Sequence, residues 1–395
     1  MLEAVAEALV EQGHEVTVLC GAGHYCPEQG VSRSDTPDDT GGDDPGPVRV
    51  ILLGVTSFGR RSFAGKVVDY GSFYLGVALW LLFPWNRFDR VVALTTPPYL
   101  SLLARGLTKF KGADHGHWVM DLYPDVMVAH GMIAEGGWTN RFLQWLTRWG
   151  FGGRRCSGVV TLGPDMADRV RCYLSSGRRV DWIPLWGSEP AAEICRGTGR
   201  ELRIQRGWRD DELVVMYSGN MGLGHLFNEI LEVIRRQQEE GPQGRIRFVF
   251  YGGGKRRAEL ETFRKNYPEV TLELHDYVGE EVLQEHLRSA DVHLVSLNSA
   301  WDGAMVPSKL QGIFSVGRPA VFVGSETCSI GQWIQESRGG WVVAPGDIEG
   351  LEQAIKEASD PAERRKRGEA AVIFSEATFD RGENRERYAK WLARC

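Results

Sequence analysis

Cysteine is sparse and disordered in its spacing. The seven residues, at 20, 26, 156, 172, 195, 328 and 395, form no CxxC pair and no Cys/His ligand pattern. An odd, scattered set excludes a disulfide framework and reads as reduced thiols in a cytosolic protein, with no zinc site expected. No secretory signal is expected in the first residues, because MLEAVAEALVEQGHEV has acids where a signal needs a basic start and an apolar centre. No run is long enough to cross a bilayer. The longest, GSFYLGVALWLLFP at 71–84, has about 14 residues against the roughly 20 required. It suits either a buried helix of an α/β core or a helix resting on a membrane surface. Positive charge is not in excess, since Lys+Arg 46 against Asp+Glu 52 leaves −6, which excludes a bulk-basic nucleic-acid protein. Most of that charge is local. Glu28, Asp35, Asp38, Asp39, Asp43 and Asp44 against Arg33 leave the rest of the chain near neutral.

What the chain does contain is a globular pool, 43% hydrophobic and 25% charged, over 395 residues, enough for two domains of average size. Short apolar β-branched runs alternate with helical patterns. The first half has 15–20, 48–53, 90–94, 117–121, 158–162 and 180–183; the second has 213–218, 246–251, 270–274, 291–296, 319–324 and 340–344. Runs apolar throughout are expected where helices cover both faces of a parallel sheet. Helices are predicted over 226–239 and 280–290. The fold class is therefore α/β, with two doubly wound Rossmann-like domains facing a cleft, residues 1–187 and 188–382, separated near 184–200. The acidic, breaker-rich stretch 28–47 is expected to be a solvated mobile insertion rather than a metal site, despite the adjacent Asp43 and Asp44.

Ligands of doubly wound sheets bind beyond the carboxyl ends of the strands. Two glycine-rich turns fall there. YSGNMGLGH (217–225) carries Gly219, Asn220, Gly222 and His225, and YGGGKRR (251–257) carries Gly253, Gly254 and Lys255. Glycines there allow positive φ and a close approach of amides to an anion, or they serve the turn alone. Neither loop matches GxGxxG or a P-loop. In DGAMVPSKLQGIFSVGRP (302–319), Pro307 and Ser308 start a helix and put Lys309 in its first turn, against the helix dipole. An anion at that end would explain the lysine; a solvated side chain is the alternative. In the first half, HWVMD brings Asp121 to a strand end, near His115 and His117, where capping and ordinary packing compete with a functional role. Eight arginines between 141 and 179 (141, 148, 154, 155, 169, 171, 178, 179) form a candidate basic face for an anionic membrane, or ordinary solvated helix faces.

Together, YSGNMG, YGGG, HDYVG (275–279), SADVHLVSL (289–297) and VPSKL…GRPAV (306–321) resemble the C-terminal half of retaining GT-B glycosyltransferases of the family-four type. GHEVTVL (13–19), SF (57–58) before Arg60 and Arg61, TTPPYL (95–100), MDLYPD (120–125) and TLGPDM (161–166) agree in the first half. Within that family the likeness is greatest to bacterial enzymes of O-antigen, colanic acid and other exopolysaccharides. The resemblance implies metal-independent transfer from a nucleotide-diphosphate sugar, UDP-linked, to a glycan or polyprenyl-linked acceptor. No cofactor is implied beyond that co-substrate, and no nucleic acid. The protein would be cytoplasmic, with possible contact at the inner face of the cytoplasmic membrane. By position, Asn220 and His225 stand for a diphosphate-binding pair, of which only His225 could be charged, leaving part of that task to Lys309 and Lys255. Tyr277 and Val278 match the loop over the nucleobase, and Ser308 and Lys309 complete the donor site. Asp121 and Lys309 are the catalytic candidates, with Asp121 orienting the acceptor hydroxyl.

Three departures accompany the resemblance. The Glu-x7-Glu pair is absent, with Ala304 and Gly312 at its positions. The chain begins inside the first helix, so the strand and glycine loop that precede it in relatives are expected to be missing, through a start at an internal methionine or a truncation. The last helix, 383–395, is expected to return to the first domain. Two other functions remain open at this point: a non-catalytic sugar-nucleotide-binding remnant and a sugar-nucleotide 2-epimerase.

Overall fold

The computed structural model describes residues 1–21, 48–56, 58, 63–175, 177–187, 198–239 and 245–394. The stretch 28–47, Ser57, Arg60, Arg61 and most of the interdomain segment lie outside the described residues. Twelve strands are described: β1 (Val16–Gly21), β2 (Val48–Leu53), β3 (Arg90–Leu94), β4 (Asp114–Trp118), β5 (Cys156–Thr161), β6 (Val180–Trp182), β7 (Glu212–Ser218), β8 (Arg245–Tyr251), β9 (Leu272–His275), β10 (Val292–Ser296), β11 (Ala320–Val323) and β12 (Gly340–Val343). Every pairing among them is parallel.

The second half forms one sheet in the order β9-β8-β7-β10-β11-β12, the doubly wound order with its switch point between β7 and β10. Leu213 to Tyr217 and all of β11 are buried, because helices cover both faces and leave no polar side to the strands. The first half is divided into β1-β2 and β3-β4-β5-β6, and no described strand joins β1 to β3. The two pieces nevertheless share an apolar cluster, in which Leu19, Leu53 and Val91 meet Val77, Leu81 and Leu107.

The apolar run at 71–84 falls, up to Leu82, in a helix, Phe63–Leu82, with a divided surface. Val77 and Leu81 are buried, while Val67, Leu75, Leu79 and Leu82 are exposed. The fully buried reading is thus corrected: only one stripe of this helix meets the core. Among the described residues no helix is long and apolar enough to cross a membrane.

The strand expected at 117–121 is also corrected. β4 runs over 114–118, where Asp114, His115 and Gly116 already pair with β3. The chain then leaves the sheet, and the amides of Met120 and Asp121 turn to the Thr95 hydroxyl at 3.0 and 3.1 Å. Apolarity carried the sequence reading too far along the chain, since His115 and Gly116 do not look like strand residues. The last helix, Arg381–Arg394, packs on the first domain. There Tyr388 stacks at 4.3 Å on Trp118, and the Trp391 indole donates to Asp181 at 2.7 Å.

Candidate functional site

At the switch point, the loops after β7 and β8 interlock backbone to backbone. The Gly219 amide donates to Tyr251 O at 2.9 Å, the Met221 amide to Gly253 O at 2.7 Å, and the Arg256 amide to Met221 O at 3.0 Å. Such closeness needs glycine. A Cβ on Gly252 (φ +120°) would meet Gly219 O at 2.2 Å, and one on Gly254 (φ +135°) would meet Met221 O at 2.5 Å. The amides of Asn220, Gly222 and Leu223 have no acceptor among the described residues, so they are free to receive an anion.

Lys309 lies beneath this loop. Its helix, Lys309–Ser315, follows β10, and the side chain passes so close to Gly219 that a Cβ there would sit 2.6 Å from Cε. Nζ donates to the Tyr217 hydroxyl at 2.5 Å and to His225 Nε2 at 3.2 Å. Tyr217 in turn donates to Asn220 O at 2.7 Å. His225 Nδ1 donates to Ser296 O at 2.7 Å, which leaves Nε2 bare to accept from the lysine. Desolvation brings Lys309 down to about 7, and desolvation with the adjacent Lys309 brings His225 down to about 3. His225 is therefore neutral, so the one member of the expected pair that could be charged is not. Lys255 is exposed on the neighbouring loop and opposes protonation of His130, itself lowered first by burial.

Asp121, in the loop after β4, meets the second domain. Its backbone bridges Met305, and Leu122 N donates to Ala304 O at 2.8 Å, so the loop after β4 and the segment leading to Lys309 are held together. Burial raises the Asp121 carboxyl, which has no hydrogen bond or ion pair among the described residues. The same segment is clamped again. Asp165 accepts from Gly303 N at 3.1 Å and from Ser329, while Arg169 meets Asp125 at 2.6 Å and the Asp302 carbonyl.

The predicted residues thus fall into groups. Gly219, Asn220, Gly222, His225, Gly253, Gly254 and Lys309 converge, with Lys255 beside them. The exposed Tyr277 ring lies over the glycines and donates to Gly253 O at 3.1 Å, whereas Val278 packs inward toward Tyr251. Ser308 caps the helix by position but makes no side-chain cap bond. Gly312 faces Leu287, whose Cδ1 would lie 3.3 Å from a Cβ at that position. Tyr217 carries no signal in the sequence, because its contact with Lys309 spans 92 residues. The arginine group is less basic than its count suggests, since Arg155, Arg169, Arg171 and Arg179 pair with Asp114, Asp125, Asp168 and Asp181.

The comparisons agree along almost the whole chain. Residues 1–186 match the family described as "Glycosyl transferase 4-like domain", and residues 212–360 match "Glycosyl transferases group 1". WcaI of Escherichia coli K12, named as a putative colanic acid biosynthesis glycosyl transferase, is 24% identical over 90% of this chain and 86% of its own. WbjE of Pseudomonas aeruginosa, named as a probable glycosyltransferase, is 26% identical over 69% of this chain and 66% of its own. Among solved structures, WaaG, a glycosyltransferase involved in lipopolysaccharide biosynthesis, superposes with a TM-score of 0.69 at 17% identity, covering 98% of this chain and 94% of that one. Anabaena Alr3699/HepE in complex with UDP-glucose gives 0.61 at 12% identity, covering 87% and 86%. With two Rossmann-like domains and both halves matched in order, the chain belongs to the glycosyltransferases of the GT-B fold.

Proposed function

We propose that this transferase moves a sugar from a UDP-sugar to a glycan or polyprenyl-linked acceptor in bacterial cell-surface polysaccharide assembly, with retention and without a metal ion. The observation that carries this reading is the Lys309 ammonium held under open loop amides at the switch point. As the glycosidic bond breaks, charge gathers on the leaving diphosphate. Amides and an ammonium aimed at that charge stabilise the transition state more than the ground state. The groups gathered there are Lys309, Lys255, a neutral His225 and Asn220, a set suited to an anion rather than to a divalent cation. Asp121, raised by burial, suits a group that orients the acceptor hydroxyl across the cleft.

The acceptor side also supports contact with an anionic membrane. Helices Phe63–Leu82, Leu100–Lys111 and Trp138–Phe151 lie side by side. They and the turn after the first expose Phe83, Trp85, Phe110, Trp138, Phe142 and Trp145, with Lys109, Arg141 and Arg148 among them. Aromatic residues beside basic ones are the composition of an interfacial surface.

The test is a thermal-shift and calorimetric panel of nucleoside-diphosphate sugars followed by donor hydrolysis. A UDP-sugar should raise the apparent stability, and Lys309→Ala should weaken its binding about 30-fold, about 2 kcal/mol, the scale of a lost charge-assisted bond. No stabilisation by any nucleoside-diphosphate sugar would overturn the reading. Binding without any turnover would favour a non-catalytic binder, a reading that Gly312 supports because it leaves no carboxylate opposite Leu287.

A further inference from the structure

Three residues outside the cleft form a second polar cluster. His115 and His117 alternate along β4 and so project from the same face, and Cys156 is the register partner of His115 on β5. One ligand atom from each lies within 4.8 Å of the others. All three side chains are buried, with His117 only 1% exposed. Among the described residues, neither ring nitrogen of His117 has a well-formed hydrogen bond in that interior, with the Gly150 backbone nearby. His115 has only long contacts, 3.4 Å to the Thr108 hydroxyl and 3.3 Å to Gly152 O. An orphaned imidazole between a second imidazole and a thiol is an uncommon way to fill a core, since Phe151 and its neighbours could be matched by apolar groups at less cost.

We infer that His115, His117 and Cys156 bind a zinc(II) ion between β4 and β5. Imidazole and thiolate are the ligands zinc takes, and bond lengths of about 2.0–2.3 Å set ligand atoms roughly 3.3–3.7 Å apart. Side-chain rotation closes the remaining gap, and the bonds exchanged are the long ones of His115 and the weak donation of the Cys156 thiol to Gly158 O at 3.9 Å. Binding converts the Cys156 thiol to a thiolate whose proton leaves to solvent, while both histidines bind as neutral imidazoles. A narrow cavity lined by Thr95, Tyr99 and Ser101 reaches His117, and a water molecule there would supply the fourth ligand. All three ligands lie on β4 and β5 rather than in the loops that carry Asp121 and Lys309, so the ion would fasten β4 to β5 without entering the transfer reaction. The inference is independent of the proposed sugar donor.

The full chain is dialysed against chelator, then titrated with zinc(II) and, in parallel, with cobalt(II) as a spectroscopic probe. One equivalent should bind, with a thiolate-to-cobalt absorption band that disappears in Cys156→Ser and persists in Cys172→Ser, an exposed cysteine elsewhere. Zinc should raise the melting temperature of the unaltered chain and of Cys172→Ser only. If Cys156→Ser does not fold, alkylation of the unaltered chain in mild denaturant decides: zinc should slow modification of Cys156 at least tenfold and leave Cys172 unaffected. Absence of zinc binding, equal binding by a folded Cys156→Ser, unchanged Cys156 alkylation, or binding of copper(I) alone would overturn the assignment.

Discussion

In the proposed donor site, Lys309 is more than a positive charge. Held by Tyr217 and His225 and lowered to about 7 by burial, it is close to half-protonated in the free protein at neutral pH. A diphosphate selects the ammonium form, so its pKa is higher in the complex and binding takes up a proton. Affinity for UDP-glucose, whose diphosphate does not itself titrate there, should fall by up to about tenfold per pH unit as pH rises above 7. Calorimetry from pH 6 to 9 checks this, and Lys309→Arg should flatten the slope because a guanidinium stays charged. A flat profile in the unaltered chain would remove the coupling. Sequence exposed Lys309 through its poor fit to the helix dipole. It could not expose the pairing with Tyr217, a product of the β7/β10 switch, nor the neutrality of His225, which follows from its burial beside Lys309.

At the scale of elements, the parallel strands were readable because burial on both faces leaves unbroken apolar runs; β2 and β3 match their expected ranges residue for residue. β4 shows the limit of that signal. Its HGH segment is polar by composition but lies in the interior, so the apolar WVM beyond it drew the boundary too late. Helix Phe63–Leu82 shows another limit, since an apolar run does not reveal which side lacks a protein neighbour. The exposed aromatics on and after the three adjacent helices give a direct expectation. The chain should float with phosphatidylglycerol vesicles, bind neutral vesicles less, and be released by salt, which screens the basic residues. Replacing Trp85, Phe110 and Trp138, all more than three-quarters exposed, by Ser should reduce vesicle binding about tenfold and leave hydrolysis of soluble donor unchanged. Equal binding by the triple variant would locate membrane contact elsewhere or nowhere.

At the scale of the molecule, the two domains meet through the segment that leads into Lys309. Residues 302–305 are tied to the first domain by the Leu122 amide, Asp165 and Arg169, while Lys309 is tied to the second by Tyr217 and His225. Any shift of one domain against the other must therefore act on the placement of Lys309. The ties to the first domain were not legible in sequence, because each links residues more than a hundred positions apart and none belongs to a glycine motif. Arg169 is the most informative, since it reaches both the mostly buried Asp125 carboxylate and the Asp302 carbonyl. Arg169→Ala leaves Asp125 with only the Tyr173 hydroxyl and should cost about 2 kcal/mol of stability, below the range for a fully buried pair because the arginine is partly exposed. If the clamp positions Lys309, the same variant should also lower kcat/KM for transfer by about tenfold at temperatures well below its Tm, with nucleotide affinity reduced in parallel. Arg169→Lys, which keeps the charge but cannot span both acceptors with one planar fork, should recover stability more than activity. Loss of stability with kcat/KM unchanged would make the clamp a fastening alone and separate domain contact from the geometry of the donor site.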